Sequence, residues 1–118
     1  MDVINLAQKF ALFSEAWQPR IVGQINEMHI KLARLQGEFI WHHHPEEDEV
    51  FWVISGRLRM QFRDREVVVE PGELLIVPHG VEHRPVADAE VQVVLIERAS
   101  TRNTGTEENE RTAEAQWL

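Results

Sequence analysis

The sequence predicts an all-β domain, a sandwich or a barrel, with a single helix at its amino end. After Pro19 the hydrophobic residues occur in short runs, either continuous or alternating with polar residues, which is typical of strands. Glycine and proline separate these runs at the spacing of an all-β fold. These turn residues are Gly37, Pro45, Gly56, Pro71, Gly72 and the segment 78–80. A chain of 118 residues can bury one core, so we expect one domain.

The helix is predicted over residues 1–18. Hydrophobic side chains recur there at steps of three and four residues, which places them on one helical face. They are Val3, Leu6, Phe10, Phe13 and Trp17. Asn5 and Gln8 have the spacing of an N-terminal capping box, and Pro19 ends the pattern.

The predicted barrel covers residues 20–98. After an alternating stretch over 28–33, its strand-like runs are 35–44, 50–54, 57–62, 67–69, 74–77 and 91–97. Gly56 separates two of these runs, and so short a connection favours a hairpin. One face of the second run carries Leu58, Met60 and Phe62, and the other carries Arg57, Arg59, Gln61 and Arg63. We expect this polar face in solvent; an inward orientation could bind a carboxylate or phosphate together with Arg84.

The tail over residues 100–118 is polar. Residues 100–116 contain no Val, Ile, Leu or Phe, and the chain then ends in Trp117 and Leu118. Termini of this composition are commonly solvated, and that is the first interpretation. The alternative is that Trp117 and Leu118 dock on a neighbouring subunit or over the mouth of the barrel.

Composition disfavours several classes of partner. Lys and Arg number 12 against 20 Asp and Glu, and the net charge of -8 repels nucleic acid and anionic lipid. No apolar run approaches the roughly 20 residues needed to span a bilayer. The acidic residue Asp2 and the absence of an apolar segment near the start differ from a secretory signal. We therefore expect a cytoplasmic protein with no nucleic-acid or membrane partner.

Three histidines and one glutamate have the spacing of metal ligands. His42 and His44 are two residues apart in a predicted strand, so their side chains share one side with Cα atoms about 6.5 Å apart. His43 then points away. Glu49 begins the next apolar strand and could face back to the two histidines. His83 lies at a strand-like position further along the chain and is the fourth candidate.

Three imidazoles and one carboxylate suit a divalent ion such as Fe, Mn, Ni, Co or Zn, with one or two coordination positions left open. An open position implies chemistry or ligand binding. The alternative is a solvated loop, because the histidines precede four consecutive acids, residues 46–49. Asp48 would replace Glu49 as ligand if the strand register were shifted by one residue. His29 and His79 are interpreted as structural or surface residues.

This spacing resembles both sequence motifs of the cupin superfamily. The first motif is Gly37, four residues, His42-x-His44, four residues, Glu49, six residues and Gly56. The second is Gly72, five residues, Pro78-x-Gly80, two residues and His83. The resemblance extends over roughly residues 28–98. It departs from the family in two places: one residue fewer precedes His42, and Ala87 stands where the second motif commonly ends in Asn.

The resemblance implies a jelly-roll barrel of two antiparallel sheets, often paired as a homodimer. The family's ligand positions fall on the same four residues that the spacing indicates, and they imply one divalent transition metal ion. These ligand positions are His42, His44, Glu49 and His83. Three of the motif glycines, Gly56, Gly72 and Gly80, would occupy turns that need positive φ.

Cupins include dioxygenases, isomerases, epimerases, lyases, decarboxylases and non-catalytic binding domains, so the fold does not select a function. The chain has no Tyr, which counts against members that transfer protons through a tyrosine. We expect a metal-dependent enzyme of dioxygenase, isomerase or lyase type acting on a small oxygenated metabolite, with Glu49 as ligand and catalytic base. The alternative is a non-catalytic cupin that binds a sugar or organic acid, a class that includes mannose-6-phosphate-isomerase-like proteins.

Overall fold

The computed structural model describes all 118 residues, and its regular secondary structure is almost entirely β, which confirms the predicted fold class. It contains one short helix, α1 (Leu6–Phe10), and eight strands. The strands are β1 (Arg20–Ile25), β2 (Met28–Glu38), β3 (Glu49–Ser55), β4 (Leu58–Phe62), β5 (Glu66–Val69), β6 (Leu74–Val77), β7 (His83–Arg98) and β8 (Gln116–Trp117). No helix has the length and apolar character needed to cross a membrane.

Strand β7 organises the sheet. Its 16 residues have β2 along one side, and on the other side they pair first with β4 and then with β3. β5 extends the sheet beyond β4, β6 pairs with β3, and β1 continues the sheet beyond β2. All of these pairings are antiparallel. Because one strand serves two successive neighbours, the sheet curves around a common interior.

The expected hairpin at Gly56 is wrong. β3 and β4 do not pair with each other; they follow one another along the same edge of β7. Gly56 joins them with φ 84°, and a Cβ atom there would lie 2.5 Å from the carbonyl oxygen of Glu90. The glycine is therefore needed for a turn that passes directly against the backbone of β7.

The expected helix over residues 1–18 is also wrong in length. The structure keeps the cap, since Asn5 accepts a hydrogen bond from the backbone N–H of Gln8 at 2.9 Å, but the helix ends at Phe10. Trp17 has φ 64°, and its backbone N–H bonds the carbonyl of Arg34 on β2 at 2.8 Å. Hydrogen bonding to the sheet therefore replaces the last turns of the helix.

Two clusters of buried side chains stabilise the fold. The interior cluster fills the barrel and consists of Trp17, Ala33, Leu35, Phe39, Phe51, Val53, Leu58, Met60, Val69, Val77, Ala87, Val91, Val93 and Leu95. The outer cluster lies where α1 covers the sheet and consists of Phe10, Phe13, Val22, Leu32 and Val94. The apolar face predicted for β4 is correct, because Leu58 and Met60 are fully buried.

The tail docks on its own chain, so the solvated-tail interpretation is wrong. β8 runs parallel to β1, and the N–H of Leu118 bonds the carbonyl of Ile21 at 2.9 Å. Leu118 packs against the outer cluster, whereas Trp117 is 61% exposed. Thr104 is completely buried. Of the two terminal side chains expected to dock, Leu118 therefore packs on the sheet and Trp117 stays largely exposed. Thr104 holds the tail at a point nearer the barrel.

Candidate metal centre

The structure brings His42, His44, Glu49 and His83 together inside the barrel, all at 4% exposure or less. The segment that carries His42 lies beside the start of β7, and the backbones of His42 and His83 exchange two hydrogen bonds at 2.9 and 3.1 Å. The carbonyl of His44 accepts a hydrogen bond from Gly80 at 2.8 Å. The backbone therefore holds the two motifs against each other.

The potential ligand atoms of these four residues all lie within 4.8 Å of one another. Oε1 of Glu49 is 3.4 Å from Nε2 of His44 and 3.7 Å from Nε2 of His83. Such spacings leave room for an ion between the atoms, since bonds of about 2.0–2.2 Å from a first-row divalent metal place neighbouring ligands roughly 3 to 4 Å apart.

Backbone carbonyls orient two of the imidazole rings. Nδ1 of His42 lies 2.9 Å from the carbonyl oxygen of Ile40, and Nδ1 of His83 lies 2.9 Å from that of Val81. A carbonyl can only accept, so each Nδ1 carries the proton and donates it. Each Nε2 is then the unprotonated nitrogen with a lone pair available to a metal, an arrangement found in many metal sites.

Three polar atoms of the cluster are buried without any hydrogen-bond partner. They are Nε2 of His44, Nε2 of His83 and Oε1 of Glu49. Such atoms destabilise a fold unless something satisfies them, and unpaired groups of this kind are rare. One cation between them would satisfy all three lone pairs. The four residues therefore fit a divalent transition metal ion.

The protonation states also suit a metal. Burial, aided by the nearby His83, lowers the pKa of His42 to about 4, so this ring is neutral at pH 7. Burial works against ionisation of Glu49, but the adjacent Glu97 carboxyl and the imidazoles of His44 and His83 outweigh it and hold the pKa of Glu49 well below its usual value. Neutral imidazoles beside an ionised carboxylate are the forms that coordinate metals.

A second buried pair, which the sequence pattern did not predict, lies beside the centre. Glu97 on β7 and Lys31 on β2 are 1% and 3% exposed, and Nζ of Lys31 lies 2.9 Å from Oε1 of Glu97. Burial and the charge of Glu49 raise the pKa of Glu97 well above its usual value, although Lys31 opposes this. Strand alternation on β7 could have identified Glu97, because it shares the inward face of Val91, Val93 and Leu95.

A cavity of about 40 Å³ adjoins His42 and Glu49. Its remaining lining is mostly apolar and consists of Trp17, Pro19, Ala33, Leu35, Phe39, Phe51, Pro85, Leu95, Glu97 and Asn103. One water needs about 10–15 Å³ of such volume, so the cavity holds about three water-sized groups.

The first part of the tail covers this end of the barrel. Asn103 lines the cavity, and its side chain donates to the carbonyl of Arg111 at 2.8 Å and accepts from the N–H of Ala113 at 2.9 Å. Gly105 lies so close to the carbonyl of His43 that no side chain could be accommodated there. The tail and the metal-bearing segment are therefore in direct contact.

Several other candidates lie outside the cluster. Asp48, the alternative ligand, is exposed and accepts hydrogen bonds from the backbone and ring of His79, both at 2.8 Å. The charged face of β4 points outward into ion pairs, for example between Arg59 and Asp88 at 2.9 Å. Arg63 pairs with Glu82 at 3.1 Å. These residues form surface ion pairs rather than an inward binding face.

Comparison with known proteins identifies the family. A cupin domain model matches residues 29–97. A cupin-2 domain containing protein from Shewanella frigidimarina is 43% identical, with a TM-score of 0.81 over 81% of this chain and 94% of that one. Protein NMB1881 from Neisseria meningitidis is 34% identical, with a TM-score of 0.76 over 82% and 99% of the two chains.

A further relative is the uncharacterized protein YdbB of Bacillus subtilis. It is 39% identical over 64 residues, which are 53% of this chain and 57% of that protein. The match to YdbB therefore spans little more than half of its length. The family model alone covers more than half of the present chain, and its matched region contains all four residues of the cluster. The chain belongs to the cupin family.

Proposed function

We propose that this cupin binds one divalent transition metal ion through His42, His44, Glu49 and His83 and acts as an enzyme on a small oxygenated metabolite. The observation that carries the proposal is the convergence of three buried, unpartnered lone pairs on one point, next to a cavity. A purely structural barrel would gain nothing from keeping these atoms unsatisfied.

Four protein ligands leave one or two positions of a five- or six-coordinate ion open. A metal bound there would act as a Lewis acid toward carbonyl, enol or diol oxygens, or would bind O₂ if it were iron. Because the cavity has space for about three water-sized groups, it accepts only the reacting end of a substrate. Its aromatic and aliphatic lining keeps bulk water away from that end.

Glu49 is the residue we assign to proton transfer. Its Oε1 faces the imidazoles of His44 and His83, and its carboxyl group neighbours that of Glu97. A carboxylate at this position can bind the ion and also accept a proton from a substrate held beside it. Glu49 is the only carboxylate of the buried cluster, and its lowered pKa keeps it in the ionised form that can accept a proton.

One observation favours the alternative of a non-catalytic, ligand-binding cupin. The side chain of Asn103 is fixed by two hydrogen bonds within the tail, so the cavity is covered on that side. An ion in a covered site could simply anchor a small ligand. Turnover of a substrate separates the two functions.

The first test is reconstitution of metal-free protein with Co²⁺, followed by titration with acetohydroxamate, a bidentate oxygen chelator. We expect one equivalent of bound Co²⁺ and a visible spectrum that changes when the chelator occupies the open position. Glu49→Gln should weaken Co²⁺ binding by about tenfold or more, since a charged ligand is lost. His43→Ala is the matched control, because this neighbouring histidine is outside the cluster.

If the visible spectrum does not change when the chelator is added, the proposed open coordination position is wrong. The enzymatic part is tested by loading the protein with each candidate metal and following a panel of enols, diols and hydroxy ketones by NMR, with O₂ uptake measured for the iron form. Conversion that requires the intact cluster supports an enzyme. Saturable binding of a panel member without conversion by any metal form would favour the non-catalytic alternative.

A further inference from the structure

A second, larger depression lies outside the cluster, between β2 and the docked tail. Its volume is about 570 Å³, within the range of about 300–1,000 Å³ usual for small-molecule sites. It is lined by Ile21, His29, Lys31, residues 99–102 and residues 112–117. We call it the tail cleft. None of the four residues of the metal cluster lines it.

The tail cleft contains polar groups that the protein leaves unsatisfied. Thr101 is only 7% exposed, and its hydroxyl has no hydrogen-bond partner. Nδ1 of His29 is likewise buried without a partner. Such groups are costly unless a ligand or ordered water completes them. Two unsatisfied side chains lining one depression therefore indicate a place where a polar ligand group binds.

Charge identifies the kind of polar group. Arg102 brings an exposed cation to the tail cleft, and Lys31 brings a buried one that already pairs with Glu97 at 2.9 Å. The only carboxylate in the lining itself is the exposed Glu114. Nε of Arg102 donates to the carbonyl of Gly105 at 2.8 Å, and Nη1 lies 4.0 Å from the nearest carboxylate, that of Glu108, so the two terminal nitrogens keep donors free. An exposed guanidinium that lines a cleft without a close carboxylate partner favours an anion there.

The remaining walls are apolar, which argues against a simple inorganic anion. Ile21 and Trp117 pair across β1 and β8, and three alanines complete this side. The indole of Trp117 is held at 5.7 Å edge-on to the ring of His29 yet is 61% exposed. A large aromatic side chain that is held in place but left exposed offers a flat surface to a ligand.

We propose that the tail cleft binds a small organic carboxylate with an apolar body. The carboxylate contacts Lys31, Arg102 and the hydroxyl of Thr101, and the apolar body lies on Trp117. The site stands apart from the metal centre, separated from it by the Lys31–Glu97 pair. Binding there requires neither the metal nor catalysis.

The probe is benzoate, titrated by calorimetry and by NMR into the metal-free protein. Benzamide is the neutral control of the same shape, and acetate is the control without an apolar body. We expect saturable benzoate binding that is at least about tenfold tighter than that of either control, because the charge and the ring each contribute. Equal affinity for benzamide, or no saturation with benzoate, would overturn the proposal.

Variants locate the site. Trp117→Ala should weaken benzoate binding at least about fivefold, and Thr101→Val and Arg102→Gln about threefold each. Trp52→Ala is the matched control, since Trp52 is also exposed but lies on β3 away from the cleft. Lys31 is left intact, because its removal would leave Glu97 buried without its cation.

If Trp52→Ala weakens binding as much as Trp117→Ala, or if the three cleft variants bind benzoate like the native chain, the tail cleft is not the site. The double variant His42→Ala/His44→Ala should bind benzoate normally. This result keeps the two proposals separable, because a failed metal centre leaves benzoate binding intact and a failed cleft leaves metal binding intact.

Discussion

The barrel interior has a polar half and an apolar half, built from the same strands. On β3 the inward side chains run from Glu49 to Val53, whose Cα atoms are about 13 Å apart in an extended strand. On β7 they run from Glu97 to Val91. In the apolar half every inward side chain is closely packed and needs no partner. In the polar half three lone pairs converge without one. This difference indicates a binding site at one end rather than a core with scattered polar residues.

The ion pair of the polar half should show a large effect on stability. Lys31→Met leaves Glu97 buried without its cation, and we expect the free energy of unfolding to fall by about 3 kcal/mol. Adding Glu97→Gln removes the unpartnered ionisable carboxyl and should restore most of that loss. Urea unfolding of both variants measures this. A double variant no more stable than Lys31→Met would show that the pair does not act as a unit.

The pH dependence of the free energy of unfolding of the metal-free protein tests the polar half, because His42 lies in it. Burial lowers its pKa to about 4 from an ordinary 6.5, so the unfolded chain takes up the proton first. The contribution of the neutral His42 to the free energy of unfolding is therefore fully present above about pH 6.5. It is lost as the pH falls to about 4, which lowers the free energy of unfolding by about 3 kcal/mol. The charged or titratable groups around it are His44, Glu49 and His83.

Unfolding monitored between pH 7 and pH 4 gives the slope, and His42→Gln should reduce it. A slope that is the same in the variant and the native chain would mean that His42 is not held neutral by burial.

Two glycines test the apolar half through the difference between two matched substitutions. Gly56 and Gly37 both have φ 84°, but only at Gly56 would a Cβ atom meet backbone, the carbonyl of Glu90 at 2.5 Å. We expect Gly37→Ala to cost about 1 kcal/mol from backbone strain alone. Gly56→Ala should cost about 3 kcal/mol, because β7 must also move. Equal losses in thermal or urea unfolding would show that the contact with β7 is unimportant.

The sequence predicted best where a pattern repeats locally. Alternation identified the inward face of β4, with Leu58 and Met60 buried. Motif spacing identified the four residues that the structure brings within 4.8 Å. In both cases the determining information lies within a few residues of the chain or in a fixed spacing.

Predictions from the sequence failed where contacts between distant segments determine the local structure. The Gly56 turn has the length of a hairpin, but β7 supplies partners to both flanking strands, which no local pattern reveals. The helix is shortened because Trp17 bonds Arg34, far along the chain. Alternation can place Glu97 on the inward face of β7, but that it meets Lys31 depends on the pairing of β2 with β7, which no local pattern reveals. The docking of the polar tail likewise depends on β1.

The central claim is that the polar half holds a metal, and metal analysis tests it most directly. Protein purified without a His-tag or chelator is analysed by mass spectrometry beside His42→Ala/His44→Ala and the control His43→Ala. We predict about one equivalent of Fe, Mn, Ni, Co or Zn in the native chain and in the control, and none in the double variant, with β-structure retained by circular dichroism. Metal retained at full stoichiometry in the double variant, or no uptake by the native chain even after reconstitution with each ion, would contradict the account.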